Sequence, residues 1–125
     1  MPLRLAHAWW GIGALMVAID IALSLAPPGD DAALLPDKLM HFSTYFLLAF
    51  WFVSLAPRRR LVALAGVIVL GGTLEVLQGM TPLRQPESLD FLANALGALM
   101  AFVIVRRMPV NFFAWLERRL PLVRA

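Results

Sequence analysis

The sequence predicts an all-α integral membrane protein: an up-down bundle of four spanning helices followed by a short C-terminal amphipathic helix. Three observations carry this. Hydrophobic residues make up 61% of the 125-residue chain, and a soluble domain of that composition would expose large apolar patches to water. The apolar residues fall into four stretches, about 8–26, 37–56, 61–80 and 89–105. Each is close to the length that crosses a hydrocarbon core of about 30 Å at about 1.5 Å per residue. Finally, Leu61 to Leu74 has no polar stripe, which a helix of a soluble bundle would need.

The first stretch follows Arg4 and ends at Ala26-Pro27, an arrangement shared with secretory signals. Its length, the Asp20 within it and the lack of a small-x-small cleavage site make it a retained helix. Pro27-Pro28-Gly29-Asp30 and Thr81-Pro82 supply turn chemistry for two short loops, and short loops favour antiparallel neighbours. After Arg107, residues Val110, Phe112, Phe113, Leu116 and Leu120 share an apolar face. With Glu117, Arg118 and Arg119 wet and Trp115 as an anchor, residues about 110–120 read as a helix on the inner leaflet, ended by Pro121. No internal repeat or low-complexity linker interrupts the chain, so residues 1–125 form one domain. The chain has no Cys, which excludes disulfides, thiol catalysis and Cys-ligated zinc and leaves the compartment open.

Basic residues set the expected orientation. Arg4, Arg58, Arg59, Arg60, Arg106, Arg107, Arg118, Arg119 and Arg124 fall on one side of the four stretches; these nine, with Lys38 and Arg84 on the other, account for all eleven. The positive-inside rule places both termini in the cytoplasm, for a multi-pass protein of the inner (plasma) membrane. The net charge of +3 is then topological. It forms no soluble basic domain, and nucleic acid is not an expected partner.

The ionisable residues are not scattered. Asp37, Lys38 and His41 open the second stretch, Glu75 and Gln78 lie near the end of the third, and Asp90 and Asn94 open the fourth. Alternating helices bring them all to the outer membrane face. A charged group within a span costs about 2.5–3.5 kcal/mol on insertion scales, so such groups default to function. Asp37, His41 and Tyr45, at i, i+4 and i+8, share one helical face. Asp37 and Asp90 also suit the positive ends of their helix dipoles. Lys38 can snorkel to headgroups or pair with a phosphate. His41 can handle protons near neutral pH. Glu75 has Gln78 on its side of the helix, and Gly71, Gly72 and Gly79 nearby would admit a neighbouring backbone. Arg84 is a planar fork for carboxylate or phosphate. Asn94 can bind ligand or cross-link helices, and Ala93, Gly97 and Ala101 form a small-residue packing row. Asp20 reaches a similar depth without a partner nearby in sequence. His41 and Glu75 are thus candidate proton-handling residues, with Asp37, Lys38, Tyr45, Gln78, Arg84, Asp90 and Asn94 as candidate substrate-binding residues. A metal on His41, Glu75 and Asp90 would find only one His and no metal-spacing motif, so neither metal nor cofactor is expected.

Taken in order, Asp37-Lys38-Leu39-Met40-His41-Phe42-Ser43-Thr44-Tyr45, Glu75-Val76-Leu77-Gln78, Arg84 and Asp90-Phe91-Leu92-Ala93-Asn94-Ala95-Leu96-Gly97 resemble the VanZ-like family of small bacterial membrane proteins. The likeness covers the second to fourth stretches, and the first by position only. The Arg84–Asp90 spacing and Ala101, where a glycine often stands, depart from the pattern. The family's founding member is associated with resistance to teicoplanin, a lipid-tailed glycopeptide. The resemblance therefore implies a cell-envelope role and a link to glycopeptide tolerance, and names no reaction.

Three functions compete. The first is binding or modification, enzymatic or not, of an anionic envelope lipid, lipid-linked precursor or lipoglycopeptide at a site facing the outer leaflet. The second is a structural or assembly protein whose polar network only fixes helix packing. The third is a proton-linked transporter, which wants a polar path through the bilayer that the apolar inner halves do not provide. A cavity reaching His41 and Glu75 would favour the first.

Overall fold

Proline-free runs of Leu, Ala, Phe, Val and Met give four long helices, with Pro57 between the second and third and Pro109 just after the fourth. In the computed structural model, which describes residues 2–26, 37–81 and 88–121, they are α1 (Ala6–Leu25), α2 (Asp37–Leu55), α3 (Arg60–Gly79) and α4 (Ser88–Arg107), followed by α5 (Phe112–Arg119). The described residues contain no strand. All four long helices are long and apolar enough to cross a membrane, which makes this a multi-pass membrane protein. Leu15, Leu23, Leu61, Val62, Val69, Val76, Met80 and Leu89 are each more than half exposed, an exterior suited to lipid.

Contacts at the two ends establish the alternation. At one end the starts of α2 and α4 meet through Lys38 and Asp90, and the ends of α1 and α3 meet through Ser24 and Gln78. At the other end Trp9 of α1 lies 6.3 Å from Trp51 of α2, ring to ring. The bundle therefore runs up-down-up-down. Among the described residues, α1 and α4 both pack on α2 and α3 and not on each other.

The tightest seam joins α2 and α4. A Cβ on Gly97 would sit 2.2 Å from the Phe42 carbonyl oxygen, so only glycine permits this approach, and Ala98 and Ala101 are fully buried beside it. Below the polar end the core is apolar, built from Leu48, Ala49, Val53, Leu64, Val67, Phe102 and Val105. The glycines of α3 work otherwise than expected: Gly71 receives the Tyr45 ring and Gly72 the Phe91 ring, so they admit side chains, not a backbone. On α1, only Trp9 and Gly13 are buried.

The tail also departs from expectation at one residue. Phe113 is fully buried against Trp9 and Trp51, with ring centroids at 5.3 and 4.9 Å, while Trp115 is exposed beneath the Arg119 guanidinium. Glu117, expected to be wet, is buried. Its carboxylate accepts hydrogen bonds from the Arg4 and Leu5 amides, both 2.9 Å, and from the Trp9 indole, 2.8 Å. The physical reason is at α1: Leu5 offers no capping side chain, so the amides at its start need an acceptor from elsewhere. Asn111 joins α5 to α2. Its Oδ1 caps α5 by accepting from Phe113 and Ala114, and its Nδ2 donates to the Ser54 carbonyl at 2.7 Å.

Candidate functional site

The site occupies the end of the bundle where α2 and α4 begin and α1 and α3 finish. Alternation alone brings the charged residues there, and specific pairings lock them. Asp37 and Asp90 each occupy the first turn of their helix, where the backbone dipole favours a carboxylate. Between them Lys38 reaches across, forming a hydrogen-bonded ion pair with Asp90 Oδ1 and approaching Asp37 Oδ2 at 3.6 Å.

One turn deeper, His41 Nδ1 lies 3.0 Å from Asn94 Oδ1. An amide oxygen only accepts, so Nδ1 carries the proton and donates. This turns Nε2 toward the two carboxylates, 3.6 Å from Asp37 Oδ1 and 3.4 Å from Asp90 Oδ2. Each carboxylate thus gives one oxygen to Lys38 and presents the other to the imidazole. Asp90 and Asn94 are buried, whereas the Asp37 side chain is 71% exposed.

A second layer lies beneath. The Tyr45 hydroxyl donates to Asp20 Oδ2 at 2.8 Å, and the Ser24 hydroxyl, one turn along α1, reaches Asp20 Oδ1 at 3.4 Å. Asp20 therefore does have a partner close in sequence. Gln78 donates through Nε2 to the Ser24 carbonyl at 2.8 Å, which answers an acceptor near the end of α1. Glu75 is buried on the same stretch of α3.

Between α1 and these residues opens a cavity of about 370 Å3. Asp20, Ser24, His41, Thr44, Tyr45, Glu75, Gln78 and Asn94 supply its polar lining, and Met16, Leu47, Leu48 and Leu74 are among its apolar walls. Met16 and Leu48 lie about one turn further from the polar end than Asp20 and Tyr45, so the deeper part of the cavity is apolar, while Leu23 and Met40 add apolar wall beside its polar residues.

Of the candidate residues, His41, Tyr45, Glu75, Gln78 and Asn94 line the cavity, and Asp37, Lys38 and Asp90 form a linked cluster at His41. Arg84 lies outside the described residues. Sequence reasoning assigned the site mainly to the second to fourth helices; α1 supplies a full wall, with Asp20 and Ser24 as its polar members. The signal for Asp20 is present in its depth, but Tyr45, its partner at 2.8 Å, lies 25 residues away on another helix.

Among the described residues the site is rich in carboxylates, with Asp20, Asp37, Glu75 and Asp90 beside Lys38 and the His41 imidazole. Carboxylates so placed accept hydrogen bonds from hydroxyl, amide or amine donors. They accommodate an anion only where a cation intervenes. Comparison of the chain with protein-family models, curated proteins and solved structures gives no match.

Proposed function

We propose that this chain is a VanZ-like membrane protein that takes the head of an envelope lipid or lipid-linked precursor into the α1–α2–α3 cavity, binding or modifying it there. The observation that carries the reading is the cavity itself, which joins eight polar residues to apolar walls at one end of the spans. A lipid drawn from the bilayer presents the same two parts, head at the interface and tail toward the midplane. A volume of about 370 Å3 falls in the range of small-molecule sites; it suits a head fragment, with the tail left among neighbouring lipids.

The positions of the charges sort the ligand. Asp20, Glu75 and Gln78 suit a head rich in hydroxyl or amide donors, while Lys38 and His41 are where a phosphate would be met. That combination describes a phosphate-linked glycan on a lipid anchor. With both termini cytoplasmic, as the positive-inside rule expects, the site faces the outer leaflet of the inner membrane, and competition for such a lipid is a route to glycopeptide tolerance. His41 and Glu75 are the residues placed to move a proton if the bound head is chemically altered.

A purely structural network is supported by how many of these groups pair with one another. It does not call for a cavity beside the pairs. Binding separates the two. Protein in nanodiscs is titrated with a fluorescent polyprenyl phosphate and a polyprenyl-phosphate-linked sugar, with phosphatidylcholine as the reference, and each mixture is checked for product. Preferential binding of the phosphate-linked lipids, reduced at least tenfold in His41→Ala and Glu75→Gln, supports the site. No preference, or binding unchanged in both variants, would leave the structural reading standing.

A further inference from the structure

We infer that Asp37, His41 and Asp90 form a site for a divalent first-row metal ion. Asp37 Oδ1 and Asp90 Oδ2 both approach His41 Nε2, and one donor atom from each of the three residues lies within 4.8 Å of the others. Metal–ligand bonds of about 2.0–2.2 Å place neighbouring donors about 3.0–3.5 Å apart in tetrahedral or octahedral geometry. The two edges at Nε2, 3.6 and 3.4 Å, are already close to that. The remaining edge closes by rotation of the exposed Asp37 side chain, the one member free to move.

Two further features set this group apart from an ordinary acidic cluster. The imidazole is oriented as metal-bound histidines are: its Nδ1–H is held by Asn94 Oδ1, which turns Nε2 toward the carboxylates. Two carboxylate oxygens brought this close to Nε2 call for a proton or a metal ion among the three atoms. Lys38 does not fill that point, because it engages the opposite oxygens, Asp90 Oδ1 and Asp37 Oδ2. One imidazole and two carboxylates suit Zn2+ or Mn2+ better than a soft, thiolate-seeking ion, and three protein ligands leave positions open. The group differs from the one weighed on the sequence in having Asp37 in place of Glu75. A metal here also supplies the cation that a phosphate needs at this acid-rich end. That coupling rests on the lipid-binding reading; the metal site does not.

The test uses the metals alone, without lipid. Purified full-length protein in detergent, stripped with chelator, is titrated with Zn2+ and Mn2+ by calorimetry, and with Co2+ while recording visible absorption. One equivalent is expected, with d–d bands of low-symmetry N/O coordination. Affinity should fall at least tenfold in His41→Ala and in Asp37→Asn, an exposed position where folding is not at stake, and stay unchanged in Glu117→Gln. Lys38→Met should bind at least as tightly as the unaltered chain, since it removes a competing positive charge. Absence of stoichiometric binding, or binding indifferent to Asp37→Asn and His41→Ala, overturns the proposal. Metal binding without lipid preference would leave this site standing and remove only the lipid reading.

Discussion

At the scale of single residues, Lys38–Asp90, His41–Asn94, Tyr45–Asp20 and Gln78–Ser24 hydrogen bonds each join two helices at the polar end of the bundle. Interhelical hydrogen bonds in membranes are worth on average about 0.6 kcal/mol and at most about 1.7. Tyr45→Phe removes the donor that Asp20 accepts from and is expected to cost about 0.5–1.5 kcal/mol in the unfolding of the detergent-solubilised protein, with α1 loosened most. A double-mutant cycle with Asp20→Asn checks the pairing: additive losses would mean that the two residues are not coupled. Glu117 makes a second residue-scale case. Burial alone would raise its carboxyl pKa, but the bonds from the Leu5 amide, the Trp9 indole and the Arg4 amide, with the Arg4 charge, outweigh that and hold it below the ordinary value of 4.5. A depressed folded value means the stabilisation is fully present above the ordinary carboxyl range and is lost as pH falls through the folded value. Acidification from neutral pH should therefore release α5 from α1, seen as a change in tryptophan fluorescence and faster proteolysis of the tail. Glu117→Gln should flatten that pH dependence, and an unchanged profile would show that another group controls it. The Glu117 lock was hard to read in advance because a glutamate on a short basic helix looks solvated. The clue lay elsewhere, in an α1 start with no Ser, Thr, Asp or Asn to cap it.

At the scale of elements, the α2–α4 seam sets the register of the candidate site. With Gly97 placed against the Phe42 backbone, Lys38 meets Asp90 and His41 meets Asn94. Gly97→Ala must separate the two helices, because the obstacle is a carbonyl and not a flexible side chain. A loss of about 1–3 kcal/mol or more is expected, together with weaker His41-dependent binding. Gly66→Ala on α3, where an added Cβ meets nothing, should be neutral in the same thermal-melt and binding assays. Equal effects at the two positions would contradict the close-packed seam. The helices themselves were legible in the sequence to within two residues at each end, since long apolar runs closed by proline and charge leave few alternatives. The small-residue row around Gly97 was legible too. What each glycine receives was not: Gly71 and Gly72 accommodate rings that arrive from other helices, and sequence spacing within α3 says nothing about them. The cavity was equally out of reach, because it exists only where α1 stands away from α2 and α3.

At the scale of the whole molecule, the polar residues and the apolar core divide the bundle into two halves. That division follows from the alternation of four helices, and so was visible as soon as the helices were. Orientation is the next claim at this scale. Both termini and the Arg58–Arg60 connection are expected in the cytoplasm. Single cysteines, placed in a chain that has none, check this in intact cells with a membrane-impermeant maleimide. Ser88→Cys should label from outside and Arg58→Cys only after permeabilisation; the reverse pattern would invert the protein and turn its site inward. The central claim is that a lipid head occupies the cavity, and photo-cross-linking from its lining tests this most directly. A benzophenone amino acid at Thr44, which lines the cavity, is compared with one at Val69, exposed on another face of the bundle. After irradiation in membranes, mass spectrometry of the adducts is expected to show phosphate-headed envelope lipids enriched at Thr44 and bulk lipid composition at Val69. The same composition at both positions, or no lipid adduct at Thr44, would contradict the account.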